Sequence, residues 1–271
     1  MSSIPDGFGP EFLDWFRTQT ESWWATIPEA IPEETLAKSV QWGSGGSWWQ
    51  RGIKWLGGLS DEQIDKVEAR WNIRFPPDYR LFLQRLHTVD KPMRCARYIG
   101  HEEATAAGNG YLATALVHEP RSYMALREGP SFYDWIHGAD SMRDTLENVV
   151  DGLIFDVENN ILWPESWGAK PDTAEEREQC VREFVSAAPR LIPVYAHRFL
   201  LGEPCEAGNP VLSIMQSDII VYGADLHDYF LIESGEMIAP DERDAVKAAK
   251  ARISDILRYE PIPFWGELLF V

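Results

Sequence analysis

Apolar positions recur at helical spacing from Leu59 onward. Ile64, Val67 and Trp71 share one face, and Tyr79, Phe82, Leu83 and Leu86 repeat at i, i+3, i+4, i+7. Ser60 with Gln63 three residues on has the form of a capping box, and Leu59 can staple onto Ile64. Phe75-Pro76-Pro77 interrupts the pattern, so the stretch predicts two amphipathic helices joined by a proline turn. Thr173 with Glu176 forms a second capping box. Cys180, Val181, Phe184, Val185 and Ala188 continue its apolar stripe until Pro189 stops it. A last helix is predicted over roughly 241–258, with Val246, Ile253, Ile256 and Leu257 facing in.

Elsewhere the pattern is β-like. Leu191 to Tyr195, Val211 to Ile214 and Ile219 to Tyr222 are short runs rich in branched and aromatic residues, punctuated by Gly208-Asn209-Pro210 and Gly223. Leu153 to Val157 and Ile161 to Trp163 flank Glu158-Asn159-Asn160, which predicts a hairpin because asparagine tolerates the positive φ of tight turns. A short helical turn is expected around Leu226, Tyr229 and Phe230. Residues 1–41 read as an aromatic-rich extension packed on a main domain over 42–271. Seven of the 12 tryptophans precede residue 56, and so much aromatic surface does not stay in water. Ile262-Pro-Phe-Trp265 reads as an apolar tail docking on the core.

Charge changes the picture. With 25 Lys+Arg against 43 Asp+Glu the net charge is −18, which opposes nucleic acid and anionic membranes and favours a basic partner. The excess is segregated. No Lys or Arg lies between Arg143 and Lys170, nor between Arg198 and Arg243. If these two stretches fold side by side they form an acidic face. The candidate partner-binding residues come from them: Asp156, Glu158, Trp163, Glu165 and Trp167 from the first, and Asp218, Asp225, Asp228, Tyr229 and Glu233 from the second. Tryptophan and tyrosine are included because they anchor interfaces. No stretch is long and apolar enough to span a membrane, and the N-terminal residues lack the form of a secretory signal, so a cytoplasmic protein is expected. Cys95, Cys180 and Cys205 fit no metal or redox spacing and are expected as buried reduced thiols.

Several segments together resemble the SMI1/KNR4 (SUKH) superfamily. Leu59-Ser-Asp-Glu-Gln-Ile64, Glu68, Ile73-Arg-Phe-Pro-Pro-Asp-Tyr79 and Phe82-Leu83 look like its opening motif. Ile192-Pro-Val-Tyr-Ala-His-Arg-Phe199, Gly208-Asn-Pro-Val-Leu-Ser213, Asp218-Ile-Ile-Val-Tyr-Gly223 and Asp225-Leu226-His-Asp-Tyr229 resemble the second half of bacterial members, and Ile262-Pro-Phe-Trp265 their closing motif. The resemblance spans roughly 11–268. One departure is Arg85-Leu-His-Thr-Val-Asp90, where such proteins place an Asn-Gly turn. The resemblance implies an α+β fold, a mixed or antiparallel sheet with helices packed around it. It also implies protein binding: bacterial relatives look like immunity proteins that block polymorphic toxins, and fungal relatives like interaction hubs in cell-wall signalling.

Catalytic patterns do not form. His101-Glu102-Glu103-Ala104-Thr105 lacks the second histidine of a zinc-protease helix, and there is no phosphate loop, dinucleotide fingerprint or nucleophile elbow. Asp225 and Asp228 could hold a cation, but the stronger reading is that Asp225 stabilises the start of a short helix. His197-Arg198, between apolar runs, reads as a pair satisfying buried groups. The sequence therefore predicts a non-catalytic binding protein, without metal or cofactor, monomeric or homodimeric. Its expected partner is a basic, nuclease-like toxin, and the other reading is an interaction scaffold like the fungal hubs.

Overall fold

The computed structural model describes residues 3–29, 47–99, 111–112, 123–259 and 262–269. The expected boundary at 41/42 lies outside them, as do His101 to Thr105. The chain divides into two compact units. The first comprises residues 1–19, 57–88 and 133–271, and the second residues 20–56 and 89–132. Among the described residues the helices are α1 (Pro10–Thr26), α2 (Asp61–Trp71), α3 (Pro77–Arg85), α4 (Ala139–Glu158), α5 (Ala174–Ala187), α6 (Leu226–Glu233) and α7 (Arg243–Tyr259). The strands are β1 (Ser47–Trp48), β2 (Arg94–Ile99), β3 (Tyr111–Leu112), β4 (Tyr123–Glu128), β5 (Leu191–Tyr195), β6 (Arg198–Leu201), β7 (Val211–Met215) and β8 (Asp218–Gly223). They make two antiparallel sheets, ordered β1-β2-β4-β3 and β5-β6-β7-β8. The fold class is α+β.

In the second unit, β2 pairs with β4 over the full length of both strands, from Arg94 opposite Glu128 to Ile99 opposite Tyr123. Trp24, Trp49, Trp55 and Phe132 form its aromatic nucleus, with ring centroids 4.6–5.9 Å apart along the chain of contacts from Trp49 through Trp24 and Trp55 to Phe132. Trp55 Nε1 donates to Thr20 Oγ1, and Lys54 reaches Glu21 at 2.8 Å.

The first unit is built on β5–β8. One face of that sheet, through Phe199, Leu201, Leu212, Ile214, Ile219 and Val221, shares a core with Val149, Leu153 and Val157 of α4, Val181 of α5, and Ile262, Trp265 and Leu268 of the tail. The tail docks as its apolar sequence predicts. Ser60 and Gln63 make the capping box in full, and Leu59 and Ile64 are both buried. Thr173 accepts from the Glu176 amide and donates to its carboxylate, so its cap forms without the reciprocal backbone bond. At Gly223, a Cβ would come within 2.6 Å of Tyr229 Cβ, so only glycine lets β8 meet α6 this closely.

Two expectations need correction. The hairpin predicted over 153–163 does not form: Leu153 to Glu158 is the end of the 20-residue helix α4. Met142, Val149, Leu153 and Val157 are its buried stripe, a helical period that outweighs the turn-like Glu158-Asn159-Asn160. Asn160 does take positive φ, at 58°, but it closes the helix rather than turning a hairpin. Cys205 is exposed, and Cys95 and Cys180 are half-buried, so the expected buried thiols are not what the fold makes; all three are free. After α3, at the point where the resemblance led to an expected Asn-Gly or similar turn, His87 itself adopts φ 61°. Its cost in that region is offset by burial of the ring, whose Nε2 accepts the Trp135 amide at 3.0 Å.

Candidate functional site

The buried residues of the opening motif are interior fittings. Glu68 is buried and accepts from the Phe75 amide and from Arg80, each at 2.8 Å, which fastens the turn between α2 and α3. Asp78 accepts the Tyr79 and Gly208 amides at 2.9 Å. Burial raises its pKa against those bonds. Tyr79, fully buried, donates its hydroxyl to the Pro193 carbonyl and accepts from Trp135 Nε1. The buried members of the motif thus join α3 to the sheet, while Ser60 to Gln63, Arg74 and Pro77 stay exposed.

The two stretches without Lys or Arg do meet. Asp156 Oδ2 accepts both the amide and the hydroxyl of Ser217, at 2.8 and 2.6 Å, and Gly152 passes so close to Gln216 that a Cβ would sit 3.1 Å from its Cα. Most of their acidic and aromatic candidates are turned to internal use. Asp156 is buried in that contact. Glu158 takes a two-pronged pair from Arg177, which holds its carboxyl below the ordinary range. Trp163 donates to the Gly168 carbonyl and stands edge-on to Trp167, which stacks on Phe264; both indoles are half-buried against the core. Asp225 caps α6 by accepting the Asp228 amide. Asp228 is fully buried, paired with Arg252 through Nε at 2.7 Å and through Nη2. Burial would raise its pKa, but bonds from His227 and Arg252 outweigh that and lower it. Tyr229 is fully buried. Glu233 lies 3.5 Å from Arg198 Nε, and burial raises its pKa against that attraction. Glu165 and Asp218 remain exposed.

Asp225, His227 and Asp228 bring potential ligand atoms within 4.8 Å of one another. With the helix cap on Asp225 and the guanidinium on Asp228, the positive charge this trio calls for is already supplied by the protein. Arg198 likewise satisfies internal groups, donating to Ser213 at 2.9 Å with its guanidinium 3.9 Å over the Tyr222 ring. Its neighbour His197 is held neutral: burial and then the Arg198 charge lower its pKa from 6.5 to about 4. Its folded pKa lies below its unfolded one, so its contribution to stability is complete above pH 6.5 and is lost as pH falls from 6.5 to about 4. Burial lowers His87 in the same direction. The raised carboxyls of Asp78, Asp225 and Glu233 act oppositely. The urea midpoint of wild type is therefore expected to fall, relative to His197→Gln, between pH 7 and pH 5. Parallel pH profiles for the two proteins would refute this.

What the surface of the first unit offers instead is a groove of about 670 Å³. Its apolar walls include Leu146 and Val150 of α4, Val185 of α5, Leu191, Trp71 and Trp265, and its rim carries Arg143, Asp144, Glu147 and Arg190. Sequence reasoning missed it, because its walls come from five separate segments. A second cleft, of about 710 Å³, lies beside Glu68, Arg74, Arg190 and Cys205 and is less apolar than the groove.

These features define an α+β scaffold whose distinctive polar residues maintain its fold while its surface is acidic and grooved. Residues 58–173 match the model of the SMI1/KNR4 family (SUKH-1). Over that span the chain is similar to the SMI1/KNR4 family. The match takes in the opening motif and α4; β5–β8 and the closing segment, to which the resemblance in sequence extends, lie outside it. No curated protein and no solved structure matches the chain. No helix among the described residues is long and apolar enough to cross a membrane.

Proposed function

We propose that this chain is a non-catalytic binding protein, an immunity protein that holds and neutralises a cognate toxin of a polymorphic system. The observation that carries this reading is the family match over residues 58–173. The charge of −18 supports a basic, nuclease-like toxin as the partner, since acidic groups raise the association rate towards a surface built to hold phosphates. The internal use of His87, Arg198, Asp225, Asp228 and Glu233 favours binding over catalysis. We place the chain in the cytoplasm, where such a toxin would act.

The test is co-expression with the C-terminal domains of candidate toxins from the chain's gene neighbourhood, followed by a pull-down. Survival with a stoichiometric complex supports the reading, survival without a complex would indicate an enzyme that reverses damage, and no survival would sink it. Among the ten candidate residues, Glu165 and Asp218 are proposed as steering charges. Glu165→Lys with Asp218→Lys should slow association several-fold at low salt and leave dissociation nearly unchanged, because exposed charges act mainly on the encounter. An unchanged association rate in stopped flow would remove them from that role.

A further inference from the structure

We propose that the groove between α4 and α5 is the docking site for a basic segment of the partner, one that inserts an aromatic or aliphatic side chain flanked by lysines or arginines. This rests on the binding function proposed above and names the surface that performs it. The walls supply the anchor pocket: Leu146, Val150 and Val185 are partly buried apolar side chains packed on the core from outside, beside Trp71 and Trp265. A hollow of about 670 Å³ is wide enough for a large side chain with its neighbouring backbone.

Charge selects the occupant. Asp144 and Glu147 stand on the rim, Asp151 lies one turn further along α4, and Glu178 and Glu183 lie along α5. The cations on this side are already answered. Arg182 alone is shared by Glu147 at 2.7 Å, Glu178 at 2.9 Å and Asp151 at 3.4 Å. Arg143 pairs with Asp140 at 2.9 Å while its guanidinium stands 5.5 Å over Trp71, and Arg190 lies 3.9 Å from Glu203. One arginine for three carboxylates leaves the ridge negative, so it attracts cationic groups. A second copy of this chain, at −18 and with the same rim, meets repulsion here, and so does nucleic acid.

Two measurements test this. In the first, fluorescein-labelled peptides report binding by anisotropy: a lysine-rich peptide with one central tryptophan, the same peptide with serine in its place, and an acidic tryptophan peptide. Wild type should bind the first at least about tenfold more tightly than the second, a 1.4 kcal/mol difference, and should not bind the third. Leu146→Ser should remove the advantage of tryptophan, and Glu147→Lys with Asp151→Lys should weaken both basic peptides, with urea midpoints confirming that each variant is folded. Equal binding of the two basic peptides, or an unchanged preference in Leu146→Ser, overturns the proposal. Self-association of the chain that Leu146→Ser abolishes would assign the groove to a second copy and overturn it as well. In the second measurement the same variants are co-expressed with the same candidate toxin domains. Rescue by wild type and loss in both variants supports the groove. Rescue by all three overturns the groove and leaves the immunity reading standing. Failure of wild type overturns that reading, and the peptides still decide what the groove holds.

Discussion

Replacing Trp265 by alanine is expected to lower the unfolding free energy by about 3–5 kcal/mol, the range for truncating a fully buried aromatic side chain. Trp265 is 1% exposed and sits in the core shared by α4, α5 and the sheet, edge-on to Phe264 at 4.9 Å. Its Nε1 donates to the Pro189 carbonyl at 2.8 Å, tying the tail to the end of α5. Alanine removes the ring, leaves a cavity and strands that carbonyl. Phenylalanine keeps most of the apolar volume but loses the bond, so Trp265→Phe should cost about 1–2 kcal/mol. Since domains have only about 5–15 kcal/mol in hand, Trp265→Ala should bring the first unit near its limit. Urea titration followed by far-ultraviolet dichroism measures both. A shift below about 1 kcal/mol for the alanine variant would mean that the tail contributes no core, against the burial seen for Ile262, Trp265 and Leu268.

The same tail shows what sequence can and cannot convey. Its apolar run predicts docking, because four such residues do not stay in water. The Ser60–Gln63 cap and the strands β5, β7 and β8 were equally legible, since each is announced by neighbours within a few residues. The short β6 was not, because its pattern is set by pairing with Pro193, Leu212 and their neighbours on adjacent strands. α4 was misread for a related reason: Leu153 to Val157 is a short apolar run before Glu158-Asn159-Asn160, and only the longer stripe back to Met142 gives the helical period. The acidic candidates show a different limit. Their charge was read correctly, but Arg177 and Arg252 reach them from beyond the cation-free stretches, and Arg198 stands at the edge of one. A charge in sequence says nothing of its partner, so exposure separates Glu165 and Asp218 from Asp228. The groove was illegible altogether, because Trp71, Leu146, Val185 and Trp265 become neighbours only when the helices pack.

Glu68→Ala is expected to cost about 2–4 kcal/mol, below the top of the range for breaking a buried pair because Arg80 keeps other partners. Glu68 is 4% exposed, and its two oxygens serve different masters: Oε1 accepts the Phe75 amide, Oε2 the Arg80 guanidinium. Alanine leaves that amide buried without an acceptor, at the turn that sets α3 against α2. Arg80 retains Asp65 at 3.0 Å and Asp61 at 3.2 Å, both carboxylates largely exposed. Asp61→Ala and Asp65→Ala should therefore each change stability by no more than about 0.5 kcal/mol, as exposed pairs do. Glu68→Gln, which can keep an oxygen on the amide, should fall between. If Glu68→Ala matched Asp65→Ala in urea titration, the motif glutamate would not be the fastening argued for it. The ranking also bears on function. Glu68 lies inside, so its loss should weaken toxin rescue only as far as it lowers the folded population. Leu146→Ser should abolish rescue while the protein stays folded. A variant that fails to bind while folded marks the interface; one that fails only when unfolded marks the scaffold.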